Sequence, residues 1–382
     1  MPTEYNRTKP NDGLLAAILS HPGLKRVLLL SLPAVVITVA AVASMFIPVP
    51  VEFRAEVVTR RLEFTPRAEF QLEIPEFTEL TVQELESFRL SPESLGVRVE
   101  DDDNWKSFDF EGELTFAAEE DLPPVLRFFG GKSGDSVGQL RITSAVARPL
   151  VLEMARGGRE LRFSSSGADT ADMIQAELNV FASRLFRMSA QYMLPRDVEL
   201  PVEADQLQYL VGVAEYATSV PFAPRPDAFA LSVRPLTYED LFPAVNIPVD
   251  AVSLLRFDSR TRGFASALVS AGKIEVEGAE DEAAFEAADQ IVIEDPDVLH
   301  VRFIGVDPEA GGLRVEVGGK VGSLRIGSTG GVRDLNLSLF QTLWRDSRLS
   351  VLFGILFWAL STSFGLYNFL KNFIKAARKD ED

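Results

Sequence analysis

The sequence predicts a membrane-anchored, mainly β protein in which two transmembrane helices flank a large extracytoplasmic β-sandwich-like domain. Three observations predict it. Two stretches near the ends carry no charge for longer than a bilayer requires, lysine and arginine collect just outside both, and short runs between them alternate apolar with polar residues.

The first charge-free stretch is the 25 residues from Val27 to Val51, and the second is the 22 residues from Leu349 to Leu370. A helix rises about 1.5 Å per residue, so about 20 apolar residues cross the hydrocarbon core. Transmembrane helices are therefore expected at 27–49 and 349–370, the first kinked at Pro33, which lacks a backbone donor. Arg7, Lys9, Lys25 and Arg26 precede the first span, and Lys371, Lys375, Arg378 and Lys379 follow the second. Positive residues resist translocation, so segment 1–26 and tail 371–382 are expected in the cytoplasm, and the middle outside the plasma (inner) membrane. A competing reading places a signal-peptide cleavage site after Ala43, in the pattern Ala41-Val42-Ala43. Against cleavage, 26 residues precede the apolar run, and Met45-Phe46-Ile47 continue it.

A chain of 382 residues that is 46% hydrophobic has ample material for buried cores. Its formal charge is −18, and the part between Glu52 and Arg348 holds 30 basic against 51 acidic residues, a charge of −21. Such a domain repels nucleic acid and anionic head groups at long range and suits basic proteins or divalent cations. Cysteine is absent, which removes disulfides, thiolate nucleophiles and thiolate metal sites together.

From Glu52 onward the period of two places strands at 53–64, 70–74, 96–100, 107–116, 138–143, 150–154 and 160–163. Residues 169–191 fit two readings. Ile174, Leu178, Phe181, Leu185 and Met188 make one apolar face of a helix, whereas Val180–Leu185 echoes Val57–Leu62 and would open a second β module. On the second reading the outer domain divides into modules at 50–168 and 169–332. Further strands are expected at 228–233, 252–257, 272–276, 290–293, 298–303, 313–317 and 321–326, with a tight turn at Gly318-Gly319. The proline-rich 219–226 reads as a connector, and the alanine- and glutamate-rich 280–288 as a short surface helix. In the interfacial segment 333–348, Leu335, Leu339 and Leu343 recur every four residues beside Trp344, as in a helix lying at the membrane surface. A last strand through Leu335, Leu337 and Leu339 is the alternative.

Residues with catalytic chemistry form no recognised set, and no cofactor is expected. The two histidines, His21 and His300, fall on opposite sides of the expected membrane, and His300 reads as an outward strand residue. Gly131-Lys132-Ser133 lacks the upstream glycine of a phosphate loop, since Leu126 stands there, and the glycines of 311–331 lack a dinucleotide-binding context. Asp101, Asp102 and Asp103 offer hard oxygen ligands to Ca²⁺ without the spacing of a calcium loop. The spans carry stripes of small residues, Ala34, Thr38 and Ala41 in the first and Ser350, Gly354, Ser361 and Gly365 in the second. Such stripes point to helix packing against each other, a copy or a partner.

The expected function is a non-enzymatic envelope module that binds a protein partner or polymer, as accessory subunit or homo-oligomer, with the lipid bilayer as its anchor. The alternatives are an envelope enzyme acting on glycan or lipid through carboxylates and a membrane-disrupting effector. The two-span layout also resembles that of polysaccharide chain-length regulators. Their outer domain is largely helical and prolines border their second span, whereas here no proline follows Pro308.

Overall fold

Apolar–polar alternation becomes alternation of burial: along Val51–Thr59 the odd positions are buried and the intervening ones face outward. The computed structural model describes residues 42–99, 104–108, 112–118, 122–130, 135–144, 149–155, 158–166, 174–180, 185–196, 206–212, 218–224, 228–236, 246–279, 282–328 and 331–339, with 39–40, 198, 200, 341–342 and seven positions between 351 and 368. One compact unit comprises 50–336, and another comprises 1–49 with 337–382.

The strands of the first unit are β1 (Val51–Thr59), β2 (Arg61–Pro66), β3 (Phe70–Gln83), β4 (Leu85–Leu90), β5 (Ser94–Val99), β6 (Lys106–Phe108), β7 (Leu114–Ala118) and β8 (Val125–Gly130). Then come β9 (Gly138–Ser144), β10 (Leu150–Ala155), β11 (Glu160–Ser166), β12 (Ile174–Val180), β13 (Leu185–Gln191), β14 (Met193–Pro195), β15 (Gln206–Gly212), β16 (Thr218–Pro224) and β17 (Ala228–Pro235). The last are β18 (Ile247–Ser253), β19 (Leu255–Asp258), β20 (Gly263–Ser266), β21 (Gly272–Val276), β22 (Ala283–Phe285), β23 (Gln290–Asp307), β24 (Gly312–Ser328) and β25 (Gly331–Asp334). The protein is mainly β, built on a large antiparallel sheet.

That sheet branches at β3. One layer runs β2, β10, β11, β17, β3, β8, β13, β15, β5, β6. The other leaves β3 through β9, β12, β16, β4, β7 and β14. β3 serves both because Phe70–Phe77 pairs with β9 and Glu79–Gln83 with β8, across a register shift between Ile74 and Phe77 that bends the strand. The layers face each other through aromatic side chains. Phe88 of β4 meets Phe128 of β8 at 6.2 Å, Phe116 of β7 meets Tyr209 of β15 at 5.3 Å, and Phe222 of β16 meets Phe128 at 5.7 Å between ring centroids. Each such pair adds about 0.5–1.5 kcal/mol to the burial of its rings. A further group of strands forms around β24, which pairs with β1, β23 and β25 and buries Leu313, Val315 and Val317, while β18 connects β2 with β23.

Several expectations change. The helical reading of 169–191 gives way to β12 and β13, whose outer neighbours β9, β16, β8 and β15 hold both edges of each. Strands β12 to β18, β21 and β24 pair with strands of 50–168, so residues on both sides of 168/169 share one sheet. Residues 283–285 form strand β22, with Ala283 and Phe285 buried against β21, because tertiary pairing overrides the helical propensity of alanine. Pro221 and Pro224 lie inside β16, where a register shift at Ala223/Pro224 accommodates the missing donor. Gly318-Gly319 makes no turn: it continues β24, and a Cβ on Gly319 would sit 2.0 Å from the Val298 carbonyl oxygen, so only glycine permits this approach. The hairpin instead turns at 308–311, where the Asp307 carboxylate accepts the Ala310 N–H at 2.9 Å and Gly311 takes φ 66°.

In the terminal unit, Val42–Ser44 is helical and residues 47–49 meet 337–339. Val49 N–H donates to the Leu337 carbonyl at 3.0 Å, Leu339 N–H to that of Ile47 at 2.9 Å, and Pro48 bridges Ser338. Helix then begins at Leu339, with Ser338 and Gln341 exchanging backbone and side-chain hydrogen bonds as a capping box. Residues 335–337 thus lie outside any strand, Ser338 makes a single bridge, and the helical turn starts only at Leu339; Leu343 and Trp344 lie outside the described residues. Among the described residues no helix is long and apolar enough to cross a membrane; most of both charge-free stretches lies outside them.

Candidate functional site

Antiparallel register converts outward positions on separate strands into lateral rows. On the outer face of the first layer one row is polar at every step. It runs Arg61 (β2), Glu153 (β10), Arg162 (β11), Ser232 (β17), Thr81 (β3), Arg127 (β8), Ser189 (β13), Gln208 (β15) and Arg98 (β5). At about 4.8 Å per strand the row spans about 38 Å. The inward alternates Leu62, Leu152, Leu161, Leu231, Val82, Leu126 and Leu207 are buried, which pins the register, because a one-residue slip would expose them.

The middle of the row lies in a groove of about 430 Å³ between β10, β11, β17, β3 and β8. Glu160, 6% exposed, is its deepest charge. Its Oε1 accepts the Ser232 hydroxyl at 2.5 Å and Arg162 Nε at 2.9 Å. On the adjacent row Glu79 and Arg234 pair at 3.1 Å. These charge-assisted bonds hold the walls, and the groove brings together three arginines, three carboxylates and the hydroxyls of Thr81, Ser164 and Ser232. Arg127 and Glu153 differ from the rest. Both are exposed, and among the described residues neither has a hydrogen-bond or ion-pair partner; four strand spacings, about 19 Å, separate them. The far end of the row carries an aromatic platform: Arg98 donates twice to Gln208 Oε1, at 3.0 and 2.8 Å, and stacks 4.5 Å over the Trp105 ring, which rests on Gly96.

No protein-family model, curated protein or solved structure matches this chain. The chemistry of the groove alone bears on its use. Hydroxyls, one carboxamide, guanidinium groups and carboxylates line the same groove, so it offers both donors and acceptors, with a free cation at Arg127 and a free anion at Glu153 among the described residues.

Asp101, Asp102, Asp103, Ala34, Thr38, Ala41, Ser350, Leu343 and Trp344 lie outside the described residues. No group of three acidic or histidine side chains suited to a metal occurs among the described ones. Gly354, Ser361 and Gly365 are helical and exposed, and a Cβ on either glycine would meet nothing within 4 Å among the described residues. Leu335, 8% exposed, is hydrogen-bonded to Leu324 in the β unit, and Leu339 opens the helical turn. His300 is half-buried on β23, with Nδ1 unpartnered among the described residues. None of the groove residues was singled out by sequence motif. Their only signal is an outward place on an alternating strand, which hundreds of surface residues share in other proteins.

Proposed function

We propose that the chain is a two-pass cell-envelope membrane protein, both termini cytoplasmic, whose extracytoplasmic β domain is a binding module for an extended glycan and works as an accessory subunit or homo-oligomer. The polar row with its uncommitted Arg127 and Glu153 carries the binding part of this reading. Its anchoring part is supported by the two charge-free stretches: the end of the first, at 47–49, is hydrogen-bonded to 337–339, ten residues before the second begins in the sequence.

The full chain, extracted in mild detergent, is expected to be retained on immobilised envelope polysaccharide and to elute with an integral partner or as a stable oligomer. Arg127→Glu and Glu153→Lys, both at exposed positions, should abolish retention while leaving the fold intact. Equal retention of the variants, or a monomer that binds no polysaccharide, refutes the module. Reporter fusions after residue 200 and after Asp382, active on opposite sides of the membrane, test the topology separately. A second reading, an enzyme acting on glycan, draws on Glu79, Glu153 and Glu160 sharing the groove. Glycan cleavage lost in Glu160→Gln would favour it over simple binding.

A further inference from the structure

β19 and β20 pair only with each other, as a two-stranded ribbon apart from the large sheet. Phe257 and Phe264 oppose each other across it, 60% and 67% exposed, with ring centroids 6.0 Å apart in an edge-to-face contact. Large aromatic rings in this state leave most of their surface open to solvent. The turn between the strands, with the neighbouring strand position, carries Arg256, Arg260 and Arg262, all exposed and none in an ion pair among the described residues. The one acid of the ribbon, Asp258, is used locally, its Oδ1 accepting the Arg260 N–H at 2.9 Å.

We infer that this ribbon is a docking surface for a lipid membrane bearing anionic head groups. Its formal charge of +2 stands against −18 for the chain, and screening over about 8 Å lets a local basic tip act against acids beyond that range. Guanidinium groups bind phosphodiesters in a bidentate fork, and apolar rings such as those of phenylalanine enter the boundary between head groups and acyl chains. The exposed rings of Phe257 and Phe264 meet edge to face on the ribbon and line neither of the described pockets. A fluid interface accepts such a shape without a complementary cavity, which favours lipid over a protein partner. The net charge of the domain conceals this exception, since averaging over 52–348 hides three neighbouring arginines. The inference depends neither on the groove nor on how the chain is anchored.

The absence of cysteine makes a single reporter simple to place. Ser259→Cys, carrying an environment-sensitive fluorophore, is made in the full chain held in nanodiscs of phosphatidylcholine alone. Vesicles of phosphatidylcholine, or of phosphatidylcholine with phosphatidylglycerol, are then added. A blue shift is expected with the anionic vesicles only, weakening as salt rises. Arg256→Glu with Arg260→Glu and Arg262→Glu should reduce the apparent affinity by about tenfold or more. Phe257→Ser with Phe264→Ser should also weaken it, with an unchanged circular dichroism spectrum showing that the fold survives. No shift with anionic vesicles, an equal shift with neutral ones, or a shift that needs no vesicles and grows with protein concentration overturns the inference, the last in favour of a second copy of the chain.

Discussion

Tyr209 lies at the centre of the aromatic core, and its hydroxyl finds no hydrogen-bond partner among the described residues. A buried, unsatisfied hydroxyl costs about 1–3 kcal/mol in desolvation. Burial also pushes its ionisation above the ordinary value of a tyrosine. The unfolded chain releases that proton from about pH 10, where the native protein keeps it. Above that pH the unfolded state binds fewer protons, so stability is full below about pH 10 and falls as pH rises further. Tyr209→Phe is therefore expected to be neutral or to stabilise by about 1 kcal/mol at pH 7, and to lose less stability than the parent above pH 10. Urea midpoints of both proteins at the two pH values decide this, and parallel losses would show that Tyr209 is not the responsible group. Gly319 presents the opposite case, a residue whose lack of side chain is what the fold uses. Gly319→Ala places a methyl group against the Val298 carbonyl and is expected to destabilise by more than about 1 kcal/mol. Amide exchange should accelerate first along β23 and β24, the two strands forced apart.

At the scale of elements, what could be read in the sequence depended on whether local pattern and tertiary pairing agree. β1, β9 and β10 show plain alternation because one face of each is core and the other is water, and their positions followed from it, whereas β24 breaks the alternation at Gly318-Gly319, where the sequence suggested a turn. Breaks within runs were invisible: Arg60 separates β1 from β2. There the Arg60 N–H donates to the Ala267 carbonyl outside either strand. Residues 174–188 carry a spacing that serves a helix as well as two strands, and only the partners β8, β9, β15 and β16 settle the choice. Bulges did the remaining damage. In β23 the register shift between Val301 and Phe303 turns Phe303 outward at 38% exposure and buries Ile304, whereas uninterrupted alternation would put Phe303 on the buried face of Leu299 and Val301. The groove was illegible for a related reason. Glu153, Ser232, Thr81 and Arg127 become neighbours through cross-strand register between segments far apart in the chain, which no motif records.

For the whole β unit, the pairing scheme dictates how it must come apart. β12 lies between β9 and β16, β13 between β8 and β15, and β17 between β11 and β3. The later strands thus fill positions between earlier ones, and removing them would leave β3, β8 and β9 with unpaired backbone edges beside an uncovered aromatic core. Neither half owns a core of its own, since Phe128 touches Phe88 from the first half and Phe186 and Phe222 from the second. Residues 50–336 should therefore unfold as one cooperative body, in spite of a length at which chains commonly divide into domains. The three tryptophans allow a direct check. With Trp344→Phe and Trp358→Phe, Trp105 is left as the only indole, reporting from beside β5 in the first half. Its emission and the far-ultraviolet circular dichroism of the whole sheet should then share one urea midpoint. If Trp105 changed in a separate, earlier or later transition, the halves would be folding independently, and the lateral row that joins their strands would not survive as a single binding surface.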